Sequence, residues 1–365
     1  MTQTIKRVLL WGSYDEGNFG DDLMAVLLAT YLRSQNVEPL VLGLKAKALG
    51  SHAITVTHNL KAGLESVDIC LIGGGEFLFR ESLLRRILRS HPRKFERQCD
   101  QLSRTCALLD KKIYSISIGG DGVVDPKLIS RSRRDLFDPS VYCGGTVRLK
   151  TDVAILNRCG ADVCYYPDIL LGTPDFISAS VGGPKNRKFK VGINLHKKHY
   201  KSVREVLIKI KERHENIEIT FLLSHLIDAG YDYEVDGDEA MDGANLSRYE
   251  DVYQFSRALS ELDLVVSSKL HVGVVSAAYG AEFVSYGGKA KAKLFVDDMQ
   301  NNCGVKNVAR FIALENVNAF SDAVESGYQK WNQSPSLKSI RFNEMEKARI
   351  GSRGHFEFLR KLIGN

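Results

Sequence analysis

Apolar positions along the chain gather into short continuous runs. Arg7 to Trp11, Glu38 to Gly43, Ile69 to Ile72, Ile113 to Ile118 and Asp162 to Tyr166 are each closed by glycine or polar residues and separated by amphipathic stretches. Strands of a parallel sheet read this way because helices cover both of their faces, so the pattern predicts an α/β fold. From Gly172 to Lys188 it lapses into Gly-Thr-Pro-Asp and Gly-Gly-Pro-Lys-Asn-Arg, a turn-rich stretch that predicts a domain boundary. A second series follows at Phe189 to Leu195, Ile217 to Leu223, Leu262 to Ser267 and Glu282 to Tyr286, with helices predicted at Ser202 to His214 and His271 to Tyr279. Arg341 to Ile363 reads as helical with mixed charge. The expectation is an N-terminal Rossmann-like domain over 1–180, a second over 181–335 facing it across a cleft, and a helical segment over 336–365 packing back on the first. No internal repeat is visible.

Composition changes this picture little. A chain of 365 residues that is 44% hydrophobic suffices for a core in each domain. Its net charge of +6 suits a small anionic ligand and is too small to argue nucleic-acid binding. The seven cysteines, at 70, 99, 106, 143, 159, 164 and 303, are odd in number and hold no C-x-x-C pair, which fits reduced thiols in a cytoplasmic protein. Met1 to Arg7 leads into Val8-Leu9-Leu10-Trp11, far too short for a signal-peptide core or a membrane span, so no export signal or transmembrane anchor is expected there.

Candidate chemistry collects where predicted strands end. The first turn runs Gly12-Ser13-Tyr14-Asp15-Glu16-Gly17-Asn18-Phe19-Gly20-Asp21-Asp22 into a helix. It is neither a triphosphate loop, which needs lysine at position 18, nor a G-x-G-x-x-G fingerprint. Asp21 and Asp22 in such a place can also act merely as helix caps. Gly73-Gly74-Gly75-Glu76 and Gly119-Gly120-Asp121-Gly122 follow two further strands, where ligands of open α/β sheets lie. In the second half, Ser267-Ser268-Lys269-Leu270-His271 joins a strand to a helix. The helix start offers N–H groups, Lys269 a full charge, and His271 a group that titrates near neutrality.

Three features carry less. The basic run from Arg80 to Arg97 reads more readily as a solvated helical face than as a surface for a phosphorylated acceptor or a membrane. Asp232 to Asp238 begins like a calcium loop, but Gly243 stands where a bidentate glutamate is needed. His196 and His199 follow a strand with no third ligand in view, so no metal is expected and a donor-contacting basic loop is the better reading.

Taken together, Gly12 with Asn18-x-Gly20-Asp21, the Gly73-Gly74-Gly75 strand end, Val147-Arg148 before Asp152, and Lys269-Leu270-His271 resemble the polysaccharide pyruvyl transferase family over about residues 8–298. The resemblance implies a two-domain fold of the GT-B glycosyltransferase architecture, phosphoenolpyruvate as donor substrate with no other cofactor, and a sugar or glycan-precursor acceptor; with no export signal or anchor expected, that acceptor would be met in the cytoplasm or at the inner membrane face. It places Arg148, Ser268, Lys269 and Leu270 on the donor, beside the His196 loop read above, and Asn18, Gly73, Gly74 and Gly75 on the acceptor side. His271 would serve as the acid and Asp21 as the base. Family members typically carry arginine where this chain has Lys269, and lysine binds as a point charge without a two-pronged fork. A nucleotide-sugar glycosyltransferase and a non-catalytic binding protein of the same fold remain as alternatives.

Overall fold

The computed structural model describes residues 5–50, 53–80, 90–178, 187–226, 235, 240–314, 316–334 and 336–364. The chain divides into two compact units, Met1–Gly17 with Asp21–Ile169 and Gly351–Asn365, and Asn18–Gly20 with Leu170–Ile350.

The first unit is built on β1 (Arg7–Trp11), β2 (Glu38–Leu42), β3 (Thr55–Thr57), β4 (Ile69–Gly73), β5 (Glu76–Leu78), β6 (Lys112–Gly120), β7 (Tyr142–Val147) and β8 (Val163–Tyr165). They form a parallel sheet in the order β3-β2-β1-β4-β6-β7-β8, with β5 paired to β6. Four of the apolar runs in the sequence are its inner strands β1, β2, β4 and β6 and the fifth is the edge strand β8; every residue of β4 is buried. Leu9, Trp11, Ile72, Phe77, Ile113 and Val147 belong to one core, each worth roughly 1.5–3 kcal/mol on full burial. The final helix, Gly354–Ile363, is pinned here by His355. Its Nε2 donates to Pro167 O at 2.9 Å and its Nδ1 accepts from the Thr146 hydroxyl at 2.7 Å. Burial pushes this imidazole down to about 3, so it stays neutral.

The second unit is built on β9 (Phe189–Asn194), β10 (Ile217–Leu223), β11 (Asn245–Arg248), β12 (Leu264–Ser267), β13 (Glu282–Tyr286) and β14 (Ala309–Ile312), all parallel, in the order β11-β10-β9-β12-β13-β14. Phe189, Val191, Ile193, Leu264, Val266 and Val284 supply its core. The helices expected at Ser202 to His214 and His271 to Tyr279 run over Lys197–Arg213 and Leu270–Ala278. The stretch Arg341 to Ile363 is broken into Leu337–Glu344, Glu346–Ser352 and Gly354–Ile363.

Both sheets reverse their strand order once, the first between β1 and β4 and the second between β9 and β12. Loops leaving the carboxyl ends of such a pair diverge to opposite faces and open a crevice, the usual ligand position in α/β sheets.

Candidate active site

In the second unit the loops at the crevice are Leu195-His196 after β9 and Ser268-Lys269 after β12. Asn194 and Ser267 are register partners on those strands, and the Ser267 hydroxyl bonds to Asn194 Oδ1 at 2.9 Å. Asn194 Nδ2 in turn donates to Leu222 O at 2.7 Å. Ser267 Oγ also lies 2.9 Å from the amide nitrogen of Lys269, which fixes the start of the helix Leu270–Ala278. Lys269 is the cap residue there, with extended backbone.

Its ammonium donates to His225 Nδ1 at 2.7 Å and to Ser224 Oγ at 3.2 Å. Lysine has only donors, so His225 must accept at Nδ1 and carry its proton on Nε2. The segment Asn18–Gly20 joins this group. Asn18 forms a β-bridge with His225, and Phe19 N donates to Ser224 O at 3.0 Å. Phe19 stacks edge-on against Tyr249 and Phe255. A side chain at Gly20 would fall on the imidazole of His271, so only glycine permits this approach. His271 is 8% exposed. The Asn18 side chain accepts from Gly20 N at 3.2 Å, two residues into the helix Phe19–Ser34, so Asn18, and neither Asp21 nor Asp22, occupies the cap position.

His196 caps the helix Lys197–Arg213, its Nδ1 accepting from Lys198 N at 3.3 Å, and its ring lies 5.5 Å from that of His199. Burial, helped by Lys198 and Lys269, holds the His196 imidazole below its ordinary value. Burial, Lys198 and His196 do the same to His199. Both therefore meet a ligand as neutral groups near pH 7, and Lys269 provides the full charge.

The other sequence candidates lie in the first unit. Gly73 O accepts from the buried Tyr14 hydroxyl at 2.5 Å, and Gly74 and Gly75 have φ of 70° and 90°, where L side chains are strained. Asp21 is 7% exposed, in the first turn of its helix, and with burial it helps to push the Tyr14 hydroxyl well up. Arg148 follows β7, is 3% exposed, and pairs through Nη1 with Asp168 Oδ2 at 3.1 Å. Asp152 accepts from Gly120 N at 3.0 Å, and burial raises its carboxyl to about 7 against the pull of Arg148. Burial and Glu76 raise Asp121 as well. The register of β6 against β7 shifts twice, with Ser117 at φ 55°, and such irregularity recurs beside active sites.

The structure thus gathers Asn18, His196, Ser268, Lys269, Leu270 and His271 in the second unit, and Asp21, Gly73, Gly74, Gly75 and Arg148 in the first. Ser224 and His225 were not singled out from the sequence, although a Ser-His pair closing the run Ile217 to Leu223 is the same signal as the one after β12. In the helix Ser90–Leu108, Phe95, Cys99, Leu102 and Cys106 form the buried stripe and Arg93, Lys94 and Arg97 are exposed, a solvated face. Arg85, Arg86, Arg89 and, apart from Val235, the calcium-like loop lie outside the described residues. Among the described residues no group of three or more His, Cys, Asp or Glu could hold a metal ion, and no helix is long and apolar enough to cross a membrane.

Two doubly wound parallel sheets with polar loops at their points of reversal define the fold class of the GT-B enzymes, with two Rossmann-like domains. The chain is similar to S. aureus MnaA, solved with UDP, at TM-score 0.62 and 10% identity, covering 98% of this chain and 97% of that one. It is similar to the UDP-GlcNAc 2-epimerase of Neisseria meningitidis bound to UDP-GlcNAc at TM-score 0.60 and 10% identity, over 99% and 100%. To Anabaena Alr3699/HepE in complex with UDP-glucose the TM-score is 0.59 at 11% identity, over 98% and 100%. At such identities the likeness is one of fold. No curated protein matches the chain in sequence. The family profile of the polysaccharide pyruvyl transferases matches residues 18–289, and the chain belongs to that family.

Proposed function

We propose that the protein transfers a pyruvyl group from phosphoenolpyruvate to two hydroxyls of a sugar or glycan precursor, forming a ketal and releasing phosphate. Family membership supplies the reaction class. The observation that carries the reading to these residues is the Lys269 ammonium, set at a helix start between Ser224 and His225, with His271 two residues on and held against Gly20.

An anionic donor is drawn by the charge of Lys269 and by the helix terminus beneath it. His271 protonates C3 of the enol while an acceptor hydroxyl forms the new bond to C2 and gives up its proton; Asp21, by residue type and its place after β1, is the proposed base. Phosphate then departs with the electron pair of its C2–O bond, and the second hydroxyl closes on C2 and loses its proton. A cation on the phosphate stabilises the charge that develops on the leaving group, and one on the carboxylate holds the donor in place. By the family likeness Arg148 is a further cation, and its burial beside Asp168 makes it a fixed one.

Incubation with phosphoenolpyruvate and a glycoside diol should release one phosphate per product, the product gaining the mass of pyruvic acid less one water. The competing reading is a nucleotide-sugar transferase, favoured by the fold's likeness to proteins solved with UDP, UDP-GlcNAc and UDP-glucose. Transfer of a glycosyl group from such a donor, without phosphate release from phosphoenolpyruvate, would decide for it.

A further inference from the structure

The polar row at the second crevice continues one strand further than the reading above uses. Ser267 on β12 is the register partner of Asn194 on β9 and also of Ser285 on β13, so three short polar side chains stand in line at the same level of three adjacent parallel strands. All three are buried, at 1%, 0% and 0% exposed for Asn194, Ser267 and Ser285. The first two bond to one another. The Ser285 hydroxyl has no partner among the described residues. A buried hydroxyl left so is costly, and native proteins rarely keep one without a use.

Ser285 faces a turn without side chains. A Cβ on Gly288 would land on Ser285 Oγ, with Ser268 O 3.7 Å away, and a Cβ on Gly287 would come within 2.9 Å of His199 Nδ1. His199 is 8% exposed, and that nitrogen too has no partner among the described residues. Gly287 and Gly288 lead directly into the helix Ala290–Asn301, whose cap residue Lys289 makes no side-chain capping bond. Two buried polar atoms without partners therefore flank one glycine turn at a helix start of twelve residues.

We propose that the Gly287-Gly288 turn, with Ser285 and His199, is an oxyanion subsite that takes the phosphoryl group of the donor, leaving its carboxylate to Lys269. The assignment rests on the donor reading given above. The Ser285 hydroxyl donates one bond, His199 donates another in its Nδ1–H tautomer, and the helix start adds partial positive charge. Because His199 is held neutral, it contributes direction and not charge. The absence of a Cβ at both glycines is what lets the Ser285 hydroxyl and the His199 ring close on the turn.

The test is calorimetric titration of the full chain with inorganic phosphate, with pyruvate and with phosphoenolpyruvate. Ser285→Ala and His199→Gln are expected to weaken phosphate and phosphoenolpyruvate about tenfold or more and to leave pyruvate unchanged, while Lys269→Ala weakens pyruvate and phosphoenolpyruvate. Gly288→Ala, checked for folding by circular dichroism, should abolish phosphate binding by displacing the Ser285 hydroxyl. Phosphate affinity unaltered in Ser285→Ala and His199→Gln overturns the subsite and leaves the donor reading standing. Equal weakening of phosphate and pyruvate by Ser285→Ala overturns it also, since a general loss of packing would do that. A folded wild type that binds neither phosphate nor phosphoenolpyruvate overturns both.

Discussion

Lys269 and His271 are two residues apart, but the chemistry asks different things of them. If Lys269 holds a donor anion, Lys269→Ala should weaken donor binding by about 1.5–3 kcal/mol, the range for hydrogen bonds to charged groups. Lys269→Arg should be tolerated, because the guanidinium keeps the charge and adds a fork. His271→Ala should instead lower kcat by roughly a hundred to ten thousandfold with little change in donor affinity, the mark of a group used in the transition state. Gly20→Ala is the sharper probe, since its methyl group would displace the His271 ring. It is expected to reproduce the kcat loss of His271→Ala at near-normal donor affinity. Steady-state rates set beside donor titrations give both quantities, and an active Gly20→Ala enzyme would show that the position of His271 does not matter.

At the scale of elements, the buried pair of Arg148 and Asp168 ties the end of β7 to the segment after β8. Arg148→Ala leaves Asp168 a buried carboxylate without its partner, which is expected to cost about 3–5 kcal/mol of stability. Denaturant melts should show that loss alongside any loss of activity, and Arg148→Met with Asp168→Leu should recover much of the stability and none of the activity. The strands were legible where burial imposed a continuous apolar run: β1, β2, β4, β6, β9, β10, β12 and β13 follow runs read from the sequence, and so does the edge strand β8, of which only Val163 is buried. Those not read were β3 and β5, of three residues each, β7, whose Gly144 and Gly145 interrupt its pattern, and β11 and β14 at sheet edges. Lys269 and His271 were legible because one loop carries them both. Their companions Ser224, His225 and Ser285 were not, because strand order and register bring them there and neither is written in a local pattern.

For the whole molecule, the carboxyl of Asp152 links stability to pH. It lies in the first turn of the helix Lys150–Arg158, a place that favours negative charge by about 0.3–1 kcal/mol, yet burial prevails and raises it to about 7, with Asp121 and Glu76 adding to the shift. Unfolded, it titrates near 4. Between those values the folded state binds the extra proton, so this contribution to stability is complete below about pH 4 and is lost as pH rises through about 7. Asp152→Asn, which retains an oxygen for Gly120 N–H, should melt with a weaker fall in stability from pH 4 to 8 than the wild type. Parallel pH dependences would show that Asp152 titrates normally. The central claim, that phosphoenolpyruvate is the donor, is met most directly by thermal melting with candidate donors, because a ligand that binds only the native state stabilises it by mass action. At a hundred times its Kd, phosphoenolpyruvate should add about 2.7 kcal/mol and raise Tm in the wild type but far less in Lys269→Ala. A Tm raised by a UDP-sugar and unmoved by phosphoenolpyruvate would contradict the account.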